Sequence, residues 1–210
     1  MKAAATRRPA PGADPPAERL LSAAEHLFGE RSYRRASVAG ICARAGIATG
    51  SFYAHFNSKA DIFAAVVRRI NADLRAAMSD ALEQAPDNQR ARERAAFRAF
   101  FDMLSRRPWI DRIVRESEFV DVGLFHEYYE RLARGYARGV RQAQLAGEVD
   151  ARYDPEVIAY IYAGIGHFIG MRWADWTVGG QVPDDVVEDV LEVLRRGLPP
   201  LAAPLSPVSS

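Results

Sequence analysis

The stretch from Ser37 to Phe56 constrains this chain more than any other. Val38, Ile41, Cys42 and Ala45 share one face of a short helix that Ser37 can cap, Gly46 breaks the run, and a second helix, roughly Thr49 to Phe56, follows. Val38, Ile41, Cys42, Ile47 and Phe56 can lock the two helices together and leave Thr49 and Ser51 facing outward. Short outward side chains let a helix lie close to base edges in a major groove. The spacing therefore points to a helix-turn-helix segment that reads double-stranded DNA.

The flanks are helical as well. Leu20, Leu21, Ala24, Leu27 and Phe28 mark one face of a first helix, starting near Asp14-Pro15 and stopping near Gly29. Ser58 and Asp61 have capping-box spacing and open a long fourth helix. From Lys59 onward the pattern stays helical, with breaks at Ala85-Pro86-Asp87, Arg107-Pro108, Val122-Gly123, Gly147 to Asp154 and Thr177 to Pro183. Strand signals are absent, so the chain is read as all-α, with about nine helices. The expected organisation is a tail at 1–16, a helix-turn-helix domain at 17–58, a ligand-binding and dimerisation domain at 59–198, and a second tail at 199–210.

Charge is unevenly spread. Residues 1–60 hold nine Lys+Arg against four Asp+Glu, and the remainder holds 19 against 23, a basic head on an acidic body that suits a polyanionic partner. With 49% hydrophobic and 26% charged residues the composition is that of a globular protein. The single cysteine, Cys42, rules out an intrachain disulfide framework and suits a reducing cytoplasm; it is read as a small buried apolar residue. No stretch has the length of a membrane span.

Two C-terminal helices carry apolar faces that need partners. The eighth, about Pro155 to Trp176, has a bulky stripe of Ile158, Ile161, Ile165, Phe168 and Ile169 and a small stripe of Ala159, Ala163, Gly166 and Gly170. The bulky stripe suits the chain's own core. The small stripe suits either a subunit interface or tight packing within one subunit. The apolar side of the ninth helix, with Val187, Val190, Leu191 and Leu194, favours the interface, and a homodimer is expected.

The residues assigned to DNA are Ser37, Ala48, Thr49, Gly50, Ser51, Tyr53, His55 and Lys59. Tyr53 and His55 suit phosphate oxygens, with a core role as the alternative for Tyr53. Lys59 and the free amides at the start of its helix suit another phosphate. The ordered set Ala45-Gly46-Ile47, Gly50-Ser51-Phe52-Tyr53, His55-Phe56 and Lys59-Ala60-Asp61-Ile62-Phe63 resembles the DNA-binding domain of the tetracycline-repressor (TetR) family over about Glu18 to Val67. The resemblance implies a homodimer held by its last two long helices, a small-molecule pocket in the C-terminal domain, and repression of a palindromic operator relieved by that molecule. It also implies that ligand binding alters the separation of the two heads. Ala36 and Ala48 depart from the family pattern. Ala48 stands where a serine usually caps the recognition helix, which leaves the cap to Thr49.

Polar groups among the aromatics of residues 97–176 are candidates for orienting an effector: Arg115, His126 and His167, with Phe101, Phe119, Tyr129 and Tyr162 as apolar or hydroxyl-bearing walls. Each has a structural role as its alternative. The run from Arg115 to Tyr136 resembles TetR-type regulators of lipid and acyl-thioester metabolism, implying a hydrophobic or acyl-CoA-like effector. Two rival classes are weighed. An all-α enzyme is disfavoured by dispersed histidines and by the lack of metal-ligand spacing or a phosphate-binding glycine loop, so neither metal nor cofactor is expected. A helical scaffold without DNA binding is disfavoured by the intact Thr49, Gly50, Tyr53, His55 and Lys59.

Overall fold

The computed structural model describes residues 15–176 and 180–196, with all side chains except those of Gln89 and Asp175. The tails expected at the two ends lie outside the described residues, apart from Pro15 and Pro16.

Local chemistry starts most of the helices. In α1 (Pro16–Arg35) a proline fills the first position, where its missing N–H costs nothing, and Glu18 follows in the first turn. Ser37 opens α2 (Val38–Ala45) and Ala48 precedes α3 (Thr49–Phe52). In α4 (Lys59–Gln84) the expected box forms with a shift: Asp61 N–H donates to Ser58 Oγ at 3.0 Å, and the Asp61 carboxylate takes the N–H of Asn57 at 2.9 Å. Asn88 caps α5 (Gln89–Arg106) through the N–H of Ala91. α6 (Ile110–Val120) and α7 (Val122–Leu145) are parted at Asp121, whose side chain accepts from the N–H of Leu124. Asp154, Pro155 and Glu156 start α8 (Pro155–Gly170), which runs into a π turn over Met171–Asp175; α9 is Asp184–Arg196. No strand occurs among the described residues. No helix among them is long and apolar enough to cross a membrane.

Three boundaries differ from expectation. α1 passes through Gly29 and bends at Ser32, whose φ of 72° lies outside the helical range. Gly29 is small because a Cβ there would come within 2.7 Å of Trp109, and it ends no helix. α3 closes at Phe52, after which Ala54, His55 and Phe56 form a turn on Ser51 and Phe52 carbonyls. α8 changes pitch at Met171, and Trp176 N–H reaches back five residues to Met171 O.

The described residues form two compact units. The first takes residues 15–72 and 109–129, so the start of α4, all of α6 and the start of α7 pack with the helix-turn-helix. Leu20, Phe28, Ile41, Phe52, Phe63 and Ile113 are fully buried in it. A polar network crosses this core: Glu25, only 5% exposed, accepts from Trp109 Nε1 at 2.9 Å and from Arg69 Nη2 at 2.8 Å. A buried carboxylate is tolerable because both of its oxygens are met by donors.

The second unit takes residues 73–108 and 130–196, and in it α5 touches both α8 and α9. Here the structure reverses the two faces of α8. The small stripe points inward: Gly166 lies on Phe100, a Cβ at Gly170 would overlap Leu104, and Ala159 is buried with Ala133 and Ala137 of α7. Ala163 is buried too. Of the bulky stripe, Ile161 and Phe168 are open, Phe168 at 64%, joined by Val157 and Tyr160. The reason is distance, since only glycine and alanine let α8 lie close to the phenylalanines of α5. On α9, Val187 and Leu191 are likewise buried within the chain, whereas Val190 and Leu194 are half-buried and Val193 is exposed.

Candidate nucleic-acid interface

α2 is fixed at both ends. Gly40 N–H donates to Ser37 Oγ at 3.1 Å, and Gly46 takes the left-handed conformation, φ 65° and ψ 37°, that closes a helix. Arg19 of α1 completes that end, donating Nε and Nη2 to Ala45 O and Nη2 to Gly46 O at 2.8–3.1 Å. A cation on the last carbonyls also suits the helix dipole. Phe52, fully buried, anchors α3, with the Tyr53 and Phe56 rings 5.2 and 5.8 Å away.

With Phe52 inward, the rest of the segment faces out. Ala48, Thr49, Gly50, Ser51 and His55 are exposed, Tyr53 is 59% exposed, and no described residue lies within 4 Å of where a Cβ at Gly50 would stand. Ala48 occupies the cap position with no side-chain bond, and Thr49 does not replace it. The Thr49 hydroxyl bonds instead to the Cys42 sulfur across the α2–α3 turn, while burial pushes the Cys42 thiol up. Exposed hydroxyls, a phenol and an imidazole around an uncluttered backbone suit base edges and phosphate oxygens.

Lys59 is held differently from the rest. Its Nζ donates to Tyr33 O and Ala36 O, both at 3.0 Å, and sits 4.3 Å above the Tyr33 ring. Two of its three N–H groups thus serve the fold, and one is left to reach a phosphate.

The expected effector residues divide between the two units. In the first, Arg115 pairs with Asp111 at 2.8 Å, His126 is exposed, and Phe119 is 88% exposed. Burial, with the Asp111 charge behind it, pushes the Tyr129 phenol up to about 12. In the second, Phe101 is buried against Phe97 and Phe100, the Tyr162 hydroxyl donates to Glu93 at 2.5 Å, and the half-buried His167 lies beside Phe168. The same unit holds a groove of about 670 Å³ between α4 and α5, floored by Ala77, Ala81, Ala95 and Ala99 and edged by arginines that include Arg94 and Arg98. None of the seven expected residues lines it.

Residues 20–66 match the family described as bacterial regulatory proteins, tetR family. The match covers the helix-turn-helix segment, from α1 into α4. Among curated relatives is the HTH-type transcriptional activator FasR of Mycolicibacterium smegmatis, 37% identical over 101 residues, 48% of this chain and 46% of that protein. The match thus spans about half the length of that relative. The fatty acid degradation regulator FadR of Bacillus halodurans superposes with a TM-score of 0.78 at 18% identity, covering 89% of this chain and 97% of that one. FadR of Bacillus subtilis, solved in complex with stearoyl-CoA, gives 0.77 at 17% identity, covering 87% and 99%. At these identities the superpositions establish the fold.

Two features were not anticipated from the sequence. Arg19 braces α2 from 26 positions upstream, a distance at which spacing carries no signal. The groove did leave one, since Ala77 and Ala81 of α4, Ala85 just beyond it, and then Ala91, Ala95 and Ala99 of α5 recur every fourth residue.

Proposed function

We propose that this protein is an effector-controlled transcriptional regulator that binds a palindromic operator as a homodimer. The observation that carries the reading is the open face of α3 and the turn after it, where Thr49, Gly50, Ser51, Tyr53 and His55 are exposed and no described residue lies within 4 Å of a Cβ at Gly50. Residues 17–58 supply the reader, residues 59–198 the effector and dimer functions, and DNA as partner places the protein in the cytoplasm. Val157, Tyr160, Ile161 and Phe168 of α8 with Val193 of α9 form the dimer face in place of the small stripe, because they are the large apolar groups that these two helices leave in water. Two α3 helices then enter successive major grooves about one DNA turn apart.

For the effector we favour an amphiphile with an anionic head, such as an acyl-CoA. The alanine-floored, arginine-edged groove supports it, as does the stearoyl-CoA held by FadR of Bacillus subtilis, a protein of the same fold. Effector binding shifts operator affinity only through its unequal affinity for the two states of the head. In the repressor form it releases DNA. FasR is named an activator, which favours a second reading in which the same occupancy raises transcription. In vitro transcription from a bound promoter separates the two.

The primary test is selection from random duplex DNA with wild type, Tyr53→Ala and His55→Ala. Recovery of a palindrome, weakened in both variants with a salt slope lower by about 1 per lost phosphate contact, supports the reading. No enrichment at low salt overturns it. Thermal stabilisation by long-chain acyl-CoA but not by CoA supports the effector class, and no shift with either overturns it.

A further inference from the structure

The turn between α1 and α2 is held from outside itself. Ser32 stands at φ 72°, ψ 160°, a backbone region that L-residues rarely enter, and it is the one non-glycine with positive φ among the described residues. Beyond it the chain makes a single turn, closed by Ala36 N–H on Ser32 O at 3.1 Å. Buried Ala36 then leads into Ser37, the cap of α2. The conformation of residues 32–36 therefore sets the direction in which α2, and with it α3, leaves α1.

Two side chains from distant parts of the same unit grip this turn. Glu116 of α6 accepts the N–H of Tyr33 at 2.7 Å, and Lys59 donates to the carbonyls of Tyr33 and Ala36. The Tyr33 ring is fixed in turn beneath Lys59 and against Phe63, 4.8 Å away. A carboxylate accepting an amide makes a stronger bond than a neutral acceptor, and here it meets a donor that the bend at Ser32 has taken out of the helical ladder.

We infer that Glu116 and Lys59 form a two-sided brace that keeps the strained Ser32–Ala36 turn in place and so aims α2 and α3 at DNA. Glu116 is a positioning residue for recognition and does not itself touch nucleic acid. The inference rests on α3 being the DNA reader.

The test uses the full chain and the selected operator, comparing wild type, Glu116→Ala, Glu116→Gln, Ser32→Gly and the double variant Ser32→Gly/Glu116→Ala. Affinity is read by fluorescence anisotropy at fixed salt, and the Tyr33 amide by hydrogen exchange. Glu116→Ala is expected to lower affinity about ten-fold and to speed exchange at Tyr33. Glu116→Gln keeps most of both, since its amide oxygen still accepts. Glycine adopts the Ser32 conformation without strain, so the double variant recovers to within about three-fold of wild type. Undiminished binding by Glu116→Ala overturns the inference. So does a loss that Ser32→Gly fails to restore, which would mark Glu116 as a contact of general stability. If the wild type selects no DNA, the reading of α3 fails first and this role fails with it.

Discussion

Replacing Gly29 by alanine sets two opposed effects against each other within one helix. Alanine in a helix interior is favoured over glycine by about 0.5–1 kcal/mol. At Gly29, however, the new Cβ would lie 2.7 Å from both Cβ and Cγ of Trp109. Those atoms are the root of the indole, so a rotamer change cannot clear them. Trp109 is tied by its Nε1–H bond to Glu25 and lies 4.9 Å from the tilted His26 ring, and it stands directly before α6. Relief therefore needs movement of backbone, for which overpacking costs of about 1–3 kcal/mol are typical. The clash wins, and Gly29→Ala should destabilise by about 1–2 kcal/mol, read as a lowered urea midpoint by circular dichroism at fixed protein concentration. In a Trp109→Gly background, which removes both atoms, the same substitution should stabilise by about 0.5–1 kcal/mol, because only the propensity effect remains. A midpoint unchanged or raised by Gly29→Ala in the otherwise wild-type chain would refute the reasoning.

Further outcomes follow from the same structure. Gly46→Ala forces an L-residue to φ 65° and should cost about 1 kcal/mol in thermal or urea unfolding, with α2 the first element to lose amide protection. Phe168→Asp places a charge in the exposed stripe of α8, away from the chain's own core. On the proposed dimer face it should shift sedimentation from dimer to monomer while leaving helical content unchanged. Tyr129 holds its proton more tightly folded, at about 12 against an ordinary 10, through burial first and the Asp111 charge second. Its contribution to stability is complete below pH 10 and is lost as pH rises from 10 through 12. Tyr129→Phe should flatten that alkaline fall in the urea midpoint.

Where a feature depends on neighbouring residues, the sequence reading held. Ser37 capping Gly40, Gly46 closing α2 and Asp154-Pro155-Glu156 opening α8 rest on side chains within a few positions of the backbone groups they serve. Misreadings arose where a distant residue decides. Gly29 looked like a helix stop because its reason, Trp109, lies 80 positions away in sequence. Thr49 looked free to cap because its bond to Cys42 crosses a turn, and the structural share of Lys59 was hidden because its carbonyl partners precede it by 23 and 26 residues. The faces of α8 were ambiguous in principle, since small residues permit close approach by an intrachain helix as readily as by another subunit. Only the packing of Phe100 and Leu104 against them decides. Selecting variants for DNA work changes accordingly: Tyr53 and His55 report on the interface, whereas Lys59→Ala would also release the turn at Tyr33 and Ala36.

The separation of the two faces of α8 carries an evolutionary consequence. The inward glycines pack against Phe100 and Leu104 of α5, so a larger residue at Gly170 requires Leu104 to turn aside. The outward row is exposed among the described residues. After a duplication, the copies can drift apart along that row while their interiors stay interchangeable. Two sister regulators in one cell can in this way stop forming mixed pairs long before they cease to share a common framework.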